Sequence, residues 1–157
     1  MAALVVFDAR AEAGTAERKA SRNEMIARVR NGDARALAEE LASKFLAEST
    51  PADVRRRLQE MMDRTPVAAI VGALEAMRDR PDSTALLQSI ANLPTLLLIG
   101  SDDTRTPHVS MQAIDDRIQD ATFEVISNGG HVPPLERPEE TMHRLRRFLN
   151  ALKAPAP

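Results

Sequence analysis

Thr95-Leu96-Leu97-Leu98-Ile99-Gly100-Ser101-Asp102-Asp103 is the stretch whose reading decides the fold of this chain. A short, wholly apolar run stopped by a turn of Gly, Ser and Asp is how a strand buried on both faces of a parallel sheet ends. Asp102 and Asp103 therefore fall at the C-terminal edge of that strand. Thr106-Pro107 then predicts a helix start, with Thr106 as cap and Pro107 in the first helical position, and Val109, Met111, Ile114 and Ile118 supply its apolar side. A second strand, Phe123-Glu124-Val125-Ile126, breaks at Ser127-Asn128-Gly129-Gly130-His131. The pattern predicts one β-α-β unit. A right-handed crossover brings both strand ends to the same edge of the sheet, so an Asp-bearing loop and a His-bearing loop are expected side by side.

Working outward, Ala3-Leu4-Val5-Val6-Phe7 is another continuous apolar run, ended by Asp8, and predicts a third buried strand. Between it and Thr95 the signal is helical and is punctuated by caps. A helix from about Thr15 to Asn31 carries Met25, Ile26 and Val29 inward and stops at Asn31-Gly32. Asp33 opens a second helix bearing Leu37, Leu41 and Phe45 on one face. Thr50-Pro51 and Thr65-Pro66 open two more, with Val54, Leu58, Met61 and Met62 on the first and Val67, Ile70, Val71, Leu74 and Met77 on the second. Arg80-Pro81-Asp82-Ser83 ends that helix, and a short one through Leu86, Leu87 and Ile90 leads into the strand at Thr95. Pro138 begins a closing helix with Met142, Leu145, Phe148, Leu149 and Leu152 on the face expected to pack on the sheet. The opposite side, with Arg144, Arg146 and Arg147, reads as a solvated face. The organisation expected is a single domain over residues 1–157, with a helical block at about 15–90 and a β-α-β core at about 93–152.

Composition narrows the functional classes. Twenty-one Lys and Arg nearly balance 23 Asp and Glu, which leaves no broad basic field for nucleic acid. Cysteine is absent, so disulfides and thiolate chemistry are excluded. No apolar run approaches the roughly 18 residues of a membrane span, and the apolar N-terminal run is too short, with an acidic follower, for a signal peptide. A soluble, cytoplasmic protein is expected. With neither Trp nor Tyr, there are no large stacking platforms for sugars or bases.

Two loops carry a resemblance. Gly100-Ser101-Asp102-Asp103-Thr104-Arg105-Thr106-Pro107 resembles the Gly-x-x-Asp-x-x-x-Pro acid loop of the α/β-hydrolase superfamily. Asn128-Gly129-Gly130-His131-Val132-Pro133-Pro134-Leu135-Glu136-Arg137-Pro138 resembles its histidine loop. The resemblance implies a truncated α/β-hydrolase-like fold: a small three-stranded, mostly parallel sheet with flanking helices and a helical lid block, corresponding to the family's C-terminal half. It implies Asp103 as the acid and His131 as the base of a hydrolytic site. Met residues scattered on the helical block suit a lid over an irregular apolar ligand, because their side chains are flexible and polarizable, and they equally suit an ordinary core. No Gly-x-Ser-x-Gly elbow occurs in the chain, and no His-Gly dipeptide for a first oxyanion donor. In these terms the chain reads as a hydrolase that begins in its middle.

The residues themselves give the same pair a chemical role. A loop histidine after Gly-Gly is accessible, and a carboxylate on the neighbouring strand end can accept its Nδ1 hydrogen and fix the tautomer, which makes a general base. A structural His–Asp hydrogen bond is the alternative, and Asp102 is the rival acceptor. The nucleophile stays open between water activated by His131, a nearby serine, Ser127 or Ser101, and an elbow supplied by a partner chain. Asp102, Asp103 and His108 lack the spacing of metal ligands, and neither metal nor cofactor is expected. His108 and His143 read as surface residues. Two functions follow as expectations: hydrolysis of activated carboxylic esters through Asp103, His131 and water or Ser127, or a catalytically silent half-domain used for binding or oligomerisation. The uncharged run Ala3-Leu4-Val5-Val6-Phe7, at one side of a small sheet, predicts a homo-oligomer that buries that edge strand.

Overall fold

A computed structural model describes residues 3–152 of the chain. Its three strands, β1 (Leu4–Phe7), β2 (Thr95–Gly100) and β3 (Ala121–Ile126), form one sheet in the order β1-β2-β3. Both pairings are parallel, with Leu4 opposite Thr95 and Thr95 opposite Ala121, so the sheet is wholly rather than mostly parallel. The central strand is the apolar run that opened the sequence reading, and all six of its residues are buried. Parallel pairing forces a crossover between each pair of strands. From β1 to β2 it is made by α1 (Ala16–Arg30), α2 (Ala34–Phe45), α3 (Ala52–Asp63), α4 (Val67–Asp79) and a 3₁₀ turn over Thr84–Ile90. From β2 to β3 it is made by α5 (His108–Asp115). After β3 come a single helical turn, α6 (Pro133–Glu136), and the closing helix α7 (Pro138–Ala151).

The alternation of side chains along β2 sends its residues into two cores. Leu97 and Ile99 meet Met111, Ile114 and Ile118 on the α5 side, with Val6 and Phe123 from the flanking strands. Leu96 and Leu98 face the other way with Ile126, against Val5, Phe7, Leu145 and Phe148. Each fully buried Leu or Ile contributes about 1.5–3 kcal/mol of transfer free energy, so this strand anchors the fold. Both faces of the sheet are therefore covered. The sheet has two margins, β1 and β3, and the residues of β1 are all half-buried and, among the described residues, pair on the β2 side alone.

The helical block has its own interior, where Ile26 and Val29 of α1 meet Leu37 of α2 and Leu74 of α4. It docks on the rest of the chain through the end of α2: Ala42, Leu46 and Leu58 pack with Phe45, Val132 and Leu135, so the histidine loop is itself part of this contact.

Several expectations needed correction. Thr15 caps α1 as expected, its hydroxyl accepting from the Arg18 N–H. Asp33, however, makes no capping bond; its carboxylate goes to Arg28 at 2.7 Å, an ionic partner that outcompetes an amide. Pro51, Pro66 and Pro107 sit one position earlier than expected, at the cap positions of α3, α4 and α5. Thr106 is held away from a capping role because its hydroxyl donates to the Asp8 carbonyl at 2.9 Å. On α7 only Leu145 and Phe148 reach the sheet, and Met142 and Leu149 are exposed, since a three-stranded sheet covers only part of that helix face. Its arginine side is less solvated than expected: Arg144 and Arg147 both pair with Glu124 of β3, whose side chain is only 9% exposed. Val109 is 72% exposed and takes no part in the α5 core.

Candidate active site

Every strand of the sheet ends on the same edge, and each end carries a side chain capable of proton chemistry. Asp8 follows β1, Asp103 follows β2 by three residues, and His131 follows β3 by five. These three residues each present a polar atom within 4.8 Å of the others.

The two loops approach this closely because glycines line the contact. The main-chain carbonyls of Gly129 and Gly130 lie so near Gly100 that a Cβ there would sit 2.2 and 2.1 Å from their oxygens. No other residue type leaves that room. Ser101 N–H donates to the Ile126 carbonyl at 2.9 Å and Asp102 N–H to Gly129 at 2.8 Å, stitching the acid loop to the histidine loop. Asn128 takes up a left-handed conformation at φ 52° to turn the chain, as Asn tolerates.

Asp103 is the carboxylate that meets the imidazole. Its Oδ2 lies 2.9 Å from His131 Nδ1, while Oδ1 accepts the N–H groups of Arg105 at 2.6 Å and Thr106 at 3.0 Å. Burial pushes its carboxyl upward, but the His131 bond and the Thr106 and Arg105 amides outweigh that and hold it below its ordinary value. Asp102 is exposed, with Oδ1 accepting from the Ser101 hydroxyl at 2.8 Å, and it does not approach the imidazole through any hydrogen bond. With Nδ1 engaged by Asp103, Nε2 is the nitrogen left for a substrate proton.

The His131 ring is 27% exposed at the side chain and leans on Phe45, ring centroids 5.3 Å apart, and the main-chain N–H of His131 donates to the Phe45 carbonyl at 2.7 Å. Beneath the loop lies Glu136, 5% exposed. Its Oε1 accepts from Ala47 N–H at 2.7 Å and the Thr50 hydroxyl at 2.6 Å; its Oε2 accepts from Gly130 N–H at 2.9 Å and Val132 N–H at 3.3 Å. One buried carboxylate thus ties both neighbours of His131 to the end of the helical block.

Asp8 is the third member. It sits at φ 44°, its Oδ1 accepts from Gly100 N–H at 3.2 Å, and its Oδ2 is buried with no donor among the described residues. Burial, only partly offset by the Gly100 amide and reinforced by Asp103 and Glu136, pushes its carboxyl up to about 8. A neutral acid next to the Asp103 carboxylate resolves the orphan oxygen, because the acid form has a hydrogen to give. Asp8, Asp103 and His131 together have the donor types of a cation site. Yet both Asp103 oxygens are already committed to His131 and two amides, so the trio is built as a hydrogen-bond cluster.

A cavity of about 560 Å³ opens beside His131, bounded by Phe45, Met25, Leu41, Leu74 and Met77 from the helical block and by Asp8 and Thr106 from the sheet edge. A smaller, largely apolar cavity of about 200 Å³ between α2, α3 and α4 shares Leu41, Leu74 and Met77 with it. Of the serines named from the sequence, Ser127 is exposed, lines neither cavity and makes no side-chain hydrogen bond among the described residues. Ser101 is committed to Asp102 and to the Asn128 N–H at 2.8 Å. Asp8, Glu136 and Phe45 were not singled out from the sequence. Asp8 carried a signal like that of Asp103, an acid close after an apolar strand; Glu136 and Phe45 are defined in large part by contacts over long sequence separations, to Ala47 and Thr50 and to His131.

A sheet of parallel strands with an acid and a histidine on adjacent strand ends has the architecture of the α/β-hydrolase fold, and comparison with known proteins agrees. The model of the alpha/beta hydrolase family matches residues 1–144, and the chain belongs to that family. Among solved structures it superposes on a thermophilic esterase from Thermogutta terrifontis, with malate bound, at TM-score 0.91 and 32% identity; the match covers 98% of this chain and 57% of the esterase. A hydrolase from Pseudomonas aeruginosa gives TM-score 0.80 at 25% identity, over 94% of this chain and 55% of that one. An uncharacterised carboxylesterase of Bacillus subtilis is 37% identical over 62 residues, 39% of this chain and 21% of that protein. The chain thus spans little more than half the length of the solved relatives it resembles.

Proposed function

We propose that this chain hydrolyses carboxylic esters with His131 as general base and Asp103 as the group that fixes its tautomer. The observation that carries the reading is the 2.9 Å contact between Asp103 Oδ2 and His131 Nδ1, on a histidine that lines a cavity open to a small molecule. In the step proposed, Nε2 takes a proton from water as its oxygen adds to the ester carbonyl. On collapse the same proton passes to the departing alkoxide, and acid and alcohol leave. Water is favoured over Ser127 because that hydroxyl lies outside both cavities, and over Ser101 because its hydroxyl is already bonded on both sides. General-base assistance of this kind is worth about 10²–10⁴-fold, so activated esters are the substrates within reach. In this reading the chain works as one domain over residues 1–157, and the helices α1 to α4 act as the lid that closes the cavity over the ester.

The test is p-nitrophenyl acetate turnover by wild type, His131→Ala, Asp103→Asn and Ser127→Ala. His131→Ala should lose turnover and Asp103→Asn should lose most of it, by leaving the imidazole in the wrong tautomer. Wild-type rates in His131→Ala would overturn the assignment; a loss confined to His131→Ala and Ser127→Ala would move the nucleophile from water to that serine.

The free edge of β1 favours a second reading, an assembly surface. Leu4, Val5, Val6 and Phe7 pair on one side only, and no Lys, Pro or inward charge blunts the strand. A homo-oligomer that buries this edge is expected, with Val5→Lys shifting it to monomer in sedimentation; a wild-type monomer at micromolar concentration would refute it.

A further inference from the structure

Six cationic side chains line the cavity beside His131: Arg10 from the loop after β1, Arg18, Lys19 and Arg22 from α1, Arg80 at the end of α4, and Arg105 from the acid loop. Among the described residues none of the six pairs with a carboxylate. Outside the cavity six arginines do pair, Arg28 with Asp33 and Glu40, Arg30 with Glu75, Arg35 with Glu39, Arg78 with Asp79, Arg144 and Arg147 with Glu124, while others such as Arg55, Arg117 and Arg137 lie on main-chain carbonyls. What sets the cavity apart is that six unpaired cations line one space. The cavity cations find only neutral partners. Arg10 donates to the Arg105 carbonyl at 2.6 Å and the Ser110 hydroxyl at 3.2 Å, Arg80 to the Glu12 carbonyl at 2.6 Å, and Arg22 reaches Met25 Sδ at 3.5 Å. These contacts orient guanidinium groups without neutralising them.

The arrangement carries a cost. Burial, then the charges of Arg105, Arg80 and Arg18, hold the Arg22 guanidinium below its ordinary value; burial, then Arg18 and Arg80, do the same to Arg10. The one acidic side chain in the cavity wall is Asp8, which its surroundings keep largely protonated near neutrality. Like charges gathered around a cleft attract an anion and are relieved by it, and a guanidinium's planar fork suits a carboxylate or phosphate.

We infer that the ester taken by this cavity also carries an oxyanion, a carboxylate or a phosphate, remote from the bond that is cut, held by Arg22 and Arg105 among the unpaired cations. The inference rests on the ester-hydrolase reading above. The geometry sets the spacing: the Arg105 guanidinium stands 5.6 Å from the Phe45 ring centroid, and that ring stands 5.3 Å from the imidazole, so one aromatic ring separates anion holder from base. A short chain bridges that distance, and Met25, Leu41, Leu74 and Met77 supply the apolar wall for its methylenes.

The test uses the His131→Ala protein, which should bind without turnover, titrated calorimetrically with monomethyl glutarate and with dimethyl glutarate. The monoanion should bind about tenfold or more tightly than the neutral diester, as one charge-assisted contact supplies. Its affinity should weaken with added salt, and Arg22→Met in the same background should remove most of the preference. Free glutarate and inorganic phosphate as competitors separate the two oxyanions: displacement by either supports the inference and names the group, and displacement by neither overturns it. Equal affinity for monoester and diester, or a preference indifferent to salt, overturns it as well, and the salt series needs no variant at Arg22. The two readings fail separately. Turnover of p-nitrophenyl acetate by wild type without anion preference leaves the esterase standing, and anion preference without turnover leaves the cation cluster standing.

Discussion

Glu136 offers the sharpest perturbation of the candidate site, because it touches no substrate and yet holds both residues that flank His131. Truncation in Glu136→Ala strips acceptors from Ala47 N–H, the Thr50 hydroxyl, Gly130 N–H and Val132 N–H. Hydrogen bonds to a charged acceptor contribute about 1.5–3 kcal/mol each, and four of them would sum to roughly 6–12 kcal/mol. That sum is too large here, since the Thr50 hydroxyl can rotate to another acceptor, the 3.3 Å bond is weak, and water enters the space left behind. A net loss of about 3–5 kcal/mol is the working figure, on a domain whose total is about 5–15 kcal/mol. The variant should therefore fold but melt lower by about 10 °C, taking about 2–4 °C per kcal/mol at this size. Glu136→Gln keeps one oxygen and turns an NH₂ group toward the other pair of donors, so it should fall between alanine and wild type. Thermal unfolding gives the stabilities, and ¹H–¹⁵N spectra of the Gly130 and Val132 amides report the loop. A Glu136→Ala melting point within about 1 °C of wild type, with those two amides unshifted, would refute the claim that this carboxylate holds the histidine loop.

Two further outcomes follow from the same geometry. Asp8 ionises at 3.8 when unperturbed and near 8 in the fold, so between these values the folded state binds more protons, and stability must fall as pH rises through that window. The slope is bounded by about 1.4 kcal/mol per pH unit and reduced by solvent screening at a side chain that is only half-buried; Asp8→Asn should flatten it between pH 4 and pH 8, and parallel urea-stability curves for the two proteins would contradict the assignment. Gly130→Ala would set a Cβ 2.6 Å from both Ala47 N and Phe45 O, atoms of backbone that cannot swing aside. It should cost about 1–3 kcal/mol or more and release the His131 N–H from the Phe45 carbonyl, with ester turnover falling further than stability; unaltered turnover would count against the role given to that contact.

The sheet edge was legible because strand ends announce themselves locally. Leu96 to Ile99 are apolar without interruption and Gly100 ends the run, and the fold buries all six residues of Thr95–Gly100 in the centre of a parallel sheet. The same logic placed Asp103 and His131 on one edge, and there it reached its limit with Asp102 beside it: which of two adjacent carboxylates meets the imidazole depends on the turn Gly100 makes against Gly129 and Gly130, a contact between segments about thirty residues apart. The closing helix failed for the opposite reason. Its apolar period was read correctly, yet Met142 and Leu149 lie exposed, because periodicity states which face of a helix is apolar and says nothing of how wide a partner it meets.

Charge was the least legible property, and the cause is physical. A formal net charge of −2 reads as neutral balance, and the local clusters of arginine, at 55–57 and 144–147, lie away from the cavity. Arg10, Arg22, Arg80 and Arg105 come from a loop, a helix, a helix end and a second loop, and it is the packing of α1 on α4 and of α2 on the histidine loop that turns them toward one cavity. Of the acids that balance them in composition only Asp8 lines that cavity, and several others pair away from it, Glu40 and Asp33 with Arg28, Glu75 with Arg30, Glu124 with Arg144 and Arg147. Position is thus more informative than composition: six cations without a carboxylate partner among the described residues gather on one cavity, and that cavity borders the histidine held by the buried Asp103 carboxylate.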